Sequence, residues 1–229
     1  MSRRENTAFR CRVCWMLGRL CVCPLIPSPP LATRTRLVLV MHRVEAAKSS
    51  NTGRLATACL ANSEILVRGH IGRPSEPLVA SEDTQPLVLF PFEGAKPLVE
   101  VAPTLGGRPV VLIVPDGTWR QASKVQKRVP GLRDVPCVSV SGEARLPHRI
   151  RAEAHAHGLS TIEAVARAMG ILEGAGVQET LERVFRSMVE RTLWTRGEIA
   201  TADVCGGIPE GAVQHDPRAQ LGGGAARPT

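Results

Sequence analysis

Val110-Val111-Leu112-Ile113-Val114-Pro115-Asp116-Gly117-Thr118-Trp119 decides the fold. Five consecutive apolar residues without polar alternation describe a strand buried on both faces. Gly117 then permits a tight turn, and Thr118 is placed to cap a helix beginning about Trp119. A carboxylate and a hydroxyl thus stand just past the C-terminal end of an interior strand, the edge at which open α/β sheets bind ligands. The same two side chains would also serve as plain helix caps.

Similar apolar runs lie on both sides of this strand, at 37–41, 65–67, 87–90 and 137–140. Helical periodicity separates them. One helix opens at Asn51-Thr52 with Leu55, Cys59 and Asn62 a turn apart, and another follows Trp119. Ser160-Thr161-Ile162-Glu163 has capping-box spacing and begins the pattern Ile162, Val165, Ala166, Met169, which should stop near Gly174. A last helix runs from about Val177 with Leu181, Val184, Phe185, Met188 and Thr192 on one side. Strands alternating with helices define the α/β class, a mainly parallel sheet flanked by helices. After Gly197 the periodicity fades into glycine and proline, so 198–229 reads as a disordered tail. There is no internal repeat, no Walker motif and no G-x-G-x-x-G.

Ahead of the first strand the chain carries a basic stretch, 1–10, and then a cysteine cluster, Cys11-x2-Cys14-x6-Cys21-x-Cys23. Four thiolates on a turn-sized loop are the number that a closed tetrahedral zinc site requires, and they leave no position for water, so the ion is expected to be structural. A redox dithiol usually follows a strand and opens a helix, whereas this pair sits at an irregular end. Crowded cysteines do not suit an ordinary disulfide framework, which points to a reducing compartment. Cys59 and Cys137 read as core thiols and Cys205 as a tail residue. Pro24-Leu25-Ile26-Pro27-Ser28-Pro29-Pro30 forms a stiff spacer that closes this unit near residue 30, leaving 31–197 as the main domain.

With 229 residues and 43% hydrophobic content the chain can bury one full-sized core. Twenty-nine Lys and Arg against 21 Asp and Glu give a net charge of +8, which suits a polyanionic partner or simply solubility. No apolar run approaches the roughly 18 residues of a membrane span and no secretory signal is visible, so a cytoplasmic location is expected. Nothing in the sequence marks an obligatory protein partner. In the helix after Trp119, Arg120, Lys124, Lys127 and Arg128 form a basic stripe opposite Ala122, Val125 and Val129. Such a stripe is either a solvated face or a set of phosphate contacts that position a nucleic acid without reading its sequence. Aromatic residues make up only 3% and there is no Tyr, which favours recognition by shape and phosphates over base stacking.

Taken in order, the Cys-x2-Cys-x6-Cys-x-Cys start, Ser50-Asn51-Thr52-Gly53-Arg54-Leu55, Leu89-Phe90-Pro91, Asp116-Gly117-Thr118-Trp119 and Ser160-Thr161-Ile162-Glu163-Ala164 resemble the DTW-domain family, the tRNA-uridine aminocarboxypropyltransferases. The resemblance covers residues 11–190. It implies a fold similar to SPOUT methyltransferases, with a knot near the cofactor. It also implies transfer of the 3-amino-3-carboxypropyl group of S-adenosylmethionine to N3 of a tRNA uridine, with release of methylthioadenosine. The cofactor pocket implied is lined by Phe90, Pro91, Val114, Pro115, Asp116, Gly117, Leu159, Ser160, Thr161 and Ala164. Asp116, Thr118 and Trp119 are the implied catalytic residues, Asp116 either as general base or as the group that grips the donor's amine. Asn51 and Arg54 would bind substrate or the donor carboxylate, although Asn51 equally suits an N-cap. Arg120, Lys124, Lys127, Arg149 and Arg151 would meet tRNA. Two positions depart from the family pattern: Pro115 where Leu is common, and His148 where Tyr is common. Two other readings share these features, an RNA methyltransferase of the SPOUT class and a non-catalytic, zinc-dependent RNA-binding protein.

Overall fold

The computed structural model describes residues 9–46, 48, 50–142 and 159–214. Six strands form one sheet: β1 (Arg36–His42), β2 (Ser63–Arg68), β3 (Gln85–Leu89), β4 (Lys96–Pro97), β5 (Val110–Asp116) and β6 (Cys137–Ser139). Their order is β2-β1-β5-β3-β6-β4 and every pairing is parallel. β5 lies between β1 and β3, and all seven of its residues are buried. This is why its sequence lacks polar alternation.

Among the described residues seven α-helices accompany the sheet: α1 (Arg43–Ala46), α2 (Gly53–Cys59), α3 (Leu98–Val101), α4 (Trp119–Ala122), α5 (Val125–Arg128), α6 (Thr161–Glu173) and α7 (Ala175–Thr195). Side chains that alternate along each strand feed two cores. Leu37, Leu39, Met41, Leu112 and Val114 pack with α2, α6, α7 and the cysteine motif. Val38, Val40, Val111 and Ile113 pack on the other side with Ala122, Val125, Val129 and Leu132 of the α4–α5 region. The capping box of α6 is formed, with the Ser160 backbone N–H donating to Glu163 Oε2 at 2.9 Å, and Gly174 ends the helix with φ of 104°.

Several expectations need correction. The helix after Trp119 is two short helices interrupted at Ser123–Lys124, so the basic stripe is not one continuous face. β2 is an edge strand with Ile65 and Val67 exposed, because an outer position with little packed on one side leaves it half open. Asn62 lies beyond α2, which ends at Cys59. The last helix starts two residues earlier than expected, at Ala175. Residues 198–207 are not the start of a tail: Val204 is buried, and the Trp194 indole donates to Thr201 Oγ1 at 3.0 Å. Residues 215–229 lie outside the described residues, as do 143–158 in the connection between β6 and α6.

Candidate active site and metal centre

Asp116 ends β5 at the C-terminal rim of the sheet, directly across from Met41 of β1. Its carboxylate is 4% exposed and joins two loops that are far apart in sequence. Oδ1 accepts the Thr161 hydroxyl at 2.6 Å, and Oδ2 accepts the Asn51 amide at 2.5 Å. Gly53, the first residue of α2, makes this approach possible. A Cβ there would lie 3.1 Å from Asp116 Oδ2 and 2.7 Å from Leu39 Cδ2. Asn51 Oδ1 also accepts the Arg54 backbone N–H at 3.2 Å, although the N-cap position of α2 belongs to Thr52. The Asn51, Asp116 and Thr161 motifs therefore converge on one buried carboxylate.

Arg54 is half-buried beside this group. Its Nη2 donates to the Ala46 carbonyl at 2.6 Å, and its guanidinium stacks on Trp15 at 4.4 Å from the ring centroid. Burial lowers its pKa, and the neighbouring Asp116 charge opposes that effect. Trp15, in the cysteine motif, has φ of 59°, the left-handed region that non-glycine residues seldom occupy. Its stacking on Arg54 connects the motif to the Asp116 site, a contact that nothing in the local pattern of either segment announces.

Thr118 takes the cap role: with Gln121 it forms a capping box on α4, and its backbone N–H donates to Gln121 Oε1 at 2.9 Å. Trp119 is exposed, and its ring centroid lies 4.8 Å from that of Phe90, which in turn lies 4.6 Å from Phe92. The rim thus carries a small aromatic ledge despite the low aromatic content. Pro91 is exposed, Phe90 is buried, and Leu159, Ser160, Thr161 and Ala164 are half-buried. Val114 lies in the strand as expected, and the strand continues through Pro115 and Asp116, which were expected past its end, with Pro115 opposite Val40 of β1. Arg120 and Lys127 are exposed and Lys124 is half-buried, while Arg149, Arg151 and His148 lie outside the described residues.

Cys11, Cys14, Cys21 and Cys23 place their sulfurs within 4.8 Å of one another. Cys11 and Cys23 are 3.4 Å apart, and Cys14 and Cys21 are 3.6 Å apart. A tetrahedral ion with Zn–S of about 2.3 Å holds its sulfurs roughly 3.8 Å apart, so the set fits such an ion. Burial pushes the Cys14 thiol up to about 11 and drives Cys23 further upward. At Cys11 burial is outweighed by the backbone N–H groups of Cys14 and Val13, which bring it to about 7. Without a cation Cys14 and Cys23 therefore stay protonated at neutral pH. The motif is anchored by Arg191 of α7, which is 4% exposed. It donates to the Cys21 carbonyl, to Gly207 at 2.9 Å and to Gly206 at 3.0 Å.

An all-parallel sheet with a buried rim carboxylate gathered by two loops, beside four clustered cysteines, defines an α/β domain with a candidate site at its strand ends. The model of the DTW domain matches residues 8–193, and the chain belongs to the DTW domain family. It is 27% identical over 194 residues to tRNA-uridine aminocarboxypropyltransferase 2 of Drosophila melanogaster, covering 82% of this chain and 76% of that protein. The protein of the same name from Macaca fascicularis is 30% identical over 185 residues, which span 78% of this chain and 61% of the relative. A third relative, tRNA-uridine aminocarboxypropyltransferase A of Arabidopsis thaliana, is 28% identical over 223 residues, covering 82% and 84%. No solved structure gives a significant match. No helix among the described residues is long and apolar enough to cross a membrane.

Proposed function

We propose that this chain is a tRNA-uridine aminocarboxypropyltransferase that uses S-adenosylmethionine as donor. The observation that carries the reading is the Asp116 carboxylate, held at the sheet rim by Asn51 and Thr161 at the meeting point of three family motifs. The names of the relatives supply the reaction class. When bound, the donor supplies a sulfonium whose attached carbons are electrophilic. Uridine N3 bonds to the methylene carbon of the 3-amino-3-carboxypropyl arm while the carbon–sulfur pair returns to sulfur. Methylthioadenosine leaves and the N3 proton passes to water.

The chain's own contribution is positioning. With one oxygen engaged by Thr161 and the other by Asn51, Asp116 suits a fixed anion facing the cationic donor better than a mobile proton acceptor. Trp119 and Phe90 offer an apolar wall at the same rim, where a flat base or adenine can lie. The cysteine motif, loaded with zinc, would hold Trp15 against Arg54 and so fix the start of α2.

The test incubates the purified protein with S-adenosylmethionine and unmodified tRNA, and analyses nucleosides and by-products by mass spectrometry. The proposal expects aminocarboxypropyl-uridine with methylthioadenosine, both lost in Asp116→Ala. Methyluridine with S-adenosylhomocysteine would establish the methyltransferase reading instead, and tRNA binding without any product the non-catalytic one.

A further inference from the structure

At the strand ends the neighbour of β5 is β1, and beyond it β2 forms the edge of the sheet. Their registers put His42 beside Arg68, one residue past the level at which Met41 pairs with Asp116. Strands lie about 4.8 Å apart, so Arg68 leaves the rim roughly 10 Å from the Asp116 backbone. Odd residues of β1 face α2 and α6, whereas Val38 and Val40 face α4 and α5. By the same alternation His42 lies on the α4–α5 side. Asp116, held by Asn51 and Thr161, lies on the other.

On that α4–α5 side cations collect without matching anions. Arg68 is 6% exposed, donates through Nη2 to the Gln121 carbonyl of α4, and leaves its buried Nε without a hydrogen-bond partner. Arg43, exposed at the start of α1, donates through Nε to the Gly69 carbonyl at 2.8 Å. Arg128, exposed at the end of α5, lies close enough to act electrostatically on both Arg68 and His42. None of the three makes an ion pair among the described residues. Among the described residues, Glu45 acts on His42 with the opposite sign, and it is buried and paired with Lys48 at 2.6 Å. His42 lies among them, packed under Gly69, with its Nδ1 accepting the Val44 N–H at 3.2 Å.

We propose that Arg43, Arg68 and Arg128 form a phosphate cradle, which grips the RNA backbone next to the nucleotide presented to Asp116. The inference rests on the proposed tRNA substrate and assigns to it a surface that shares Arg128 with the basic stripe but is otherwise built from Arg43 and Arg68 at the ends of β1 and β2. RNA lying across the rim would set a base at Asp116 and an adjoining phosphate on the α4–α5 side, where Trp119 begins α4. The crowding has an electrostatic trace. Burial first, and then Arg68, Arg43 and Arg128, lower the pKa of His42, and Arg68 is itself lowered by burial and by Arg128. A phosphate would relieve that mutual repulsion.

The experiment measures binding of an unmodified tRNA transcript by fluorescence anisotropy from 50 to 200 mM salt, roughly the range over which phosphate contacts weaken strongly. It also measures steady-state methylthioadenosine release. The full-length protein is compared with R43A/R128A and R43E/R128E, and with R108A as a control. Arg108 precedes β5 at the opposite rim, bonded to Gln85. The expected result for the double variants is a Kd raised about tenfold or more and a salt slope reduced by about one to two. KM for tRNA should rise with kcat at saturation unchanged, and R108A should match wild type. Folded double variants with wild-type affinity and salt slope would overturn the cradle, as would a wild-type protein that does not bind tRNA. Should the double variants not fold, Arg128→Gln alone decides by the same slope. Binding that depends on the cradle without any aminocarboxypropyl product upholds the surface and refutes the activity; product formation with unaltered variant kinetics does the reverse.

Discussion

The Asp116 carboxylate is satisfied only because three residues from separate segments meet there, so each can be altered separately. Asp116→Ala strands the Thr161 hydroxyl and the Asn51 amide, and each buried group left unpaired costs about 1–3 kcal/mol. Chemical denaturation should show that loss, and product formation should fall at least a hundredfold. Thr161→Val keeps the shape of the site and removes one donor. A modest loss of stability of about 1 kcal/mol with a larger loss of activity would separate a positioning role from a purely structural one. Gly53→Ala puts a methyl group against Leu39 and the Asp116 carboxylate, in a backbone conformation that alanine accepts. Overpacking of this kind costs about 1–3 kcal/mol, and the change should impair activity more than the same substitution at exposed Gly176. Matching effects at the two glycines would show that crowding at Asp116 has no consequence.

Elements differ in how plainly local sequence announces them. β5 and α6 are legible, the first from an unbroken apolar run and the second from Ser160 and Glu163 at capping-box spacing. Ser160→Ala should therefore cost about 1 kcal/mol in thermal or urea unfolding. The break between α4 and α5 was not legible, because Ser123-Lys124 contains neither glycine nor proline and the apolar periodicity continues through it. β4 escaped for the opposite reason: two residues, one of them Pro97, are too few to show a period. Pro115 and Pro86 lie within strands that pair on both sides, positions at which proline usually argues against a strand. The cysteine motif was legible from spacing alone, and the closeness of its sulfurs supports a metal-bound state. Metal analysis should find one zinc per chain. A strong chelator should lower the melting temperature and release Trp15, which a shift in tryptophan fluorescence would register. Unchanged melting after complete metal removal would deny the motif a structural role.

Over the whole molecule, contacts distant in sequence determine what the chain needs in order to fold. Residues 198–207 look too polar and glycine-rich to order themselves, and alone they are. What holds them is α7. Glu190 accepts the Cys205 N–H at 2.6 Å, Arg191 binds the Gly206 and Gly207 carbonyls, and the same guanidinium reaches Cys21, 170 positions away. No periodicity carries such a connection, since its partners are backbone carbonyls that any sequence supplies. Cutting the chain after Gly197 would leave Glu190 Oε2, much of the Arg191 guanidinium and the Trp194 indole without their partners, while Arg186 keeps Glu190 Oε1 at 2.6 Å. At about 1–3 kcal/mol for each, the truncated protein should lose at least about 3 kcal/mol, a large share of a typical folding free energy. Zinc should also be lost more readily, because Arg191 would no longer be fixed from the far side while it holds the Cys21 carbonyl. Cutting after Gln214 keeps all of these partners and should leave stability and metal retention unchanged. If the two truncations unfold alike and bind zinc alike, the clamp contributes nothing, and α7 with the sheet alone suffices to seat the cysteine motif.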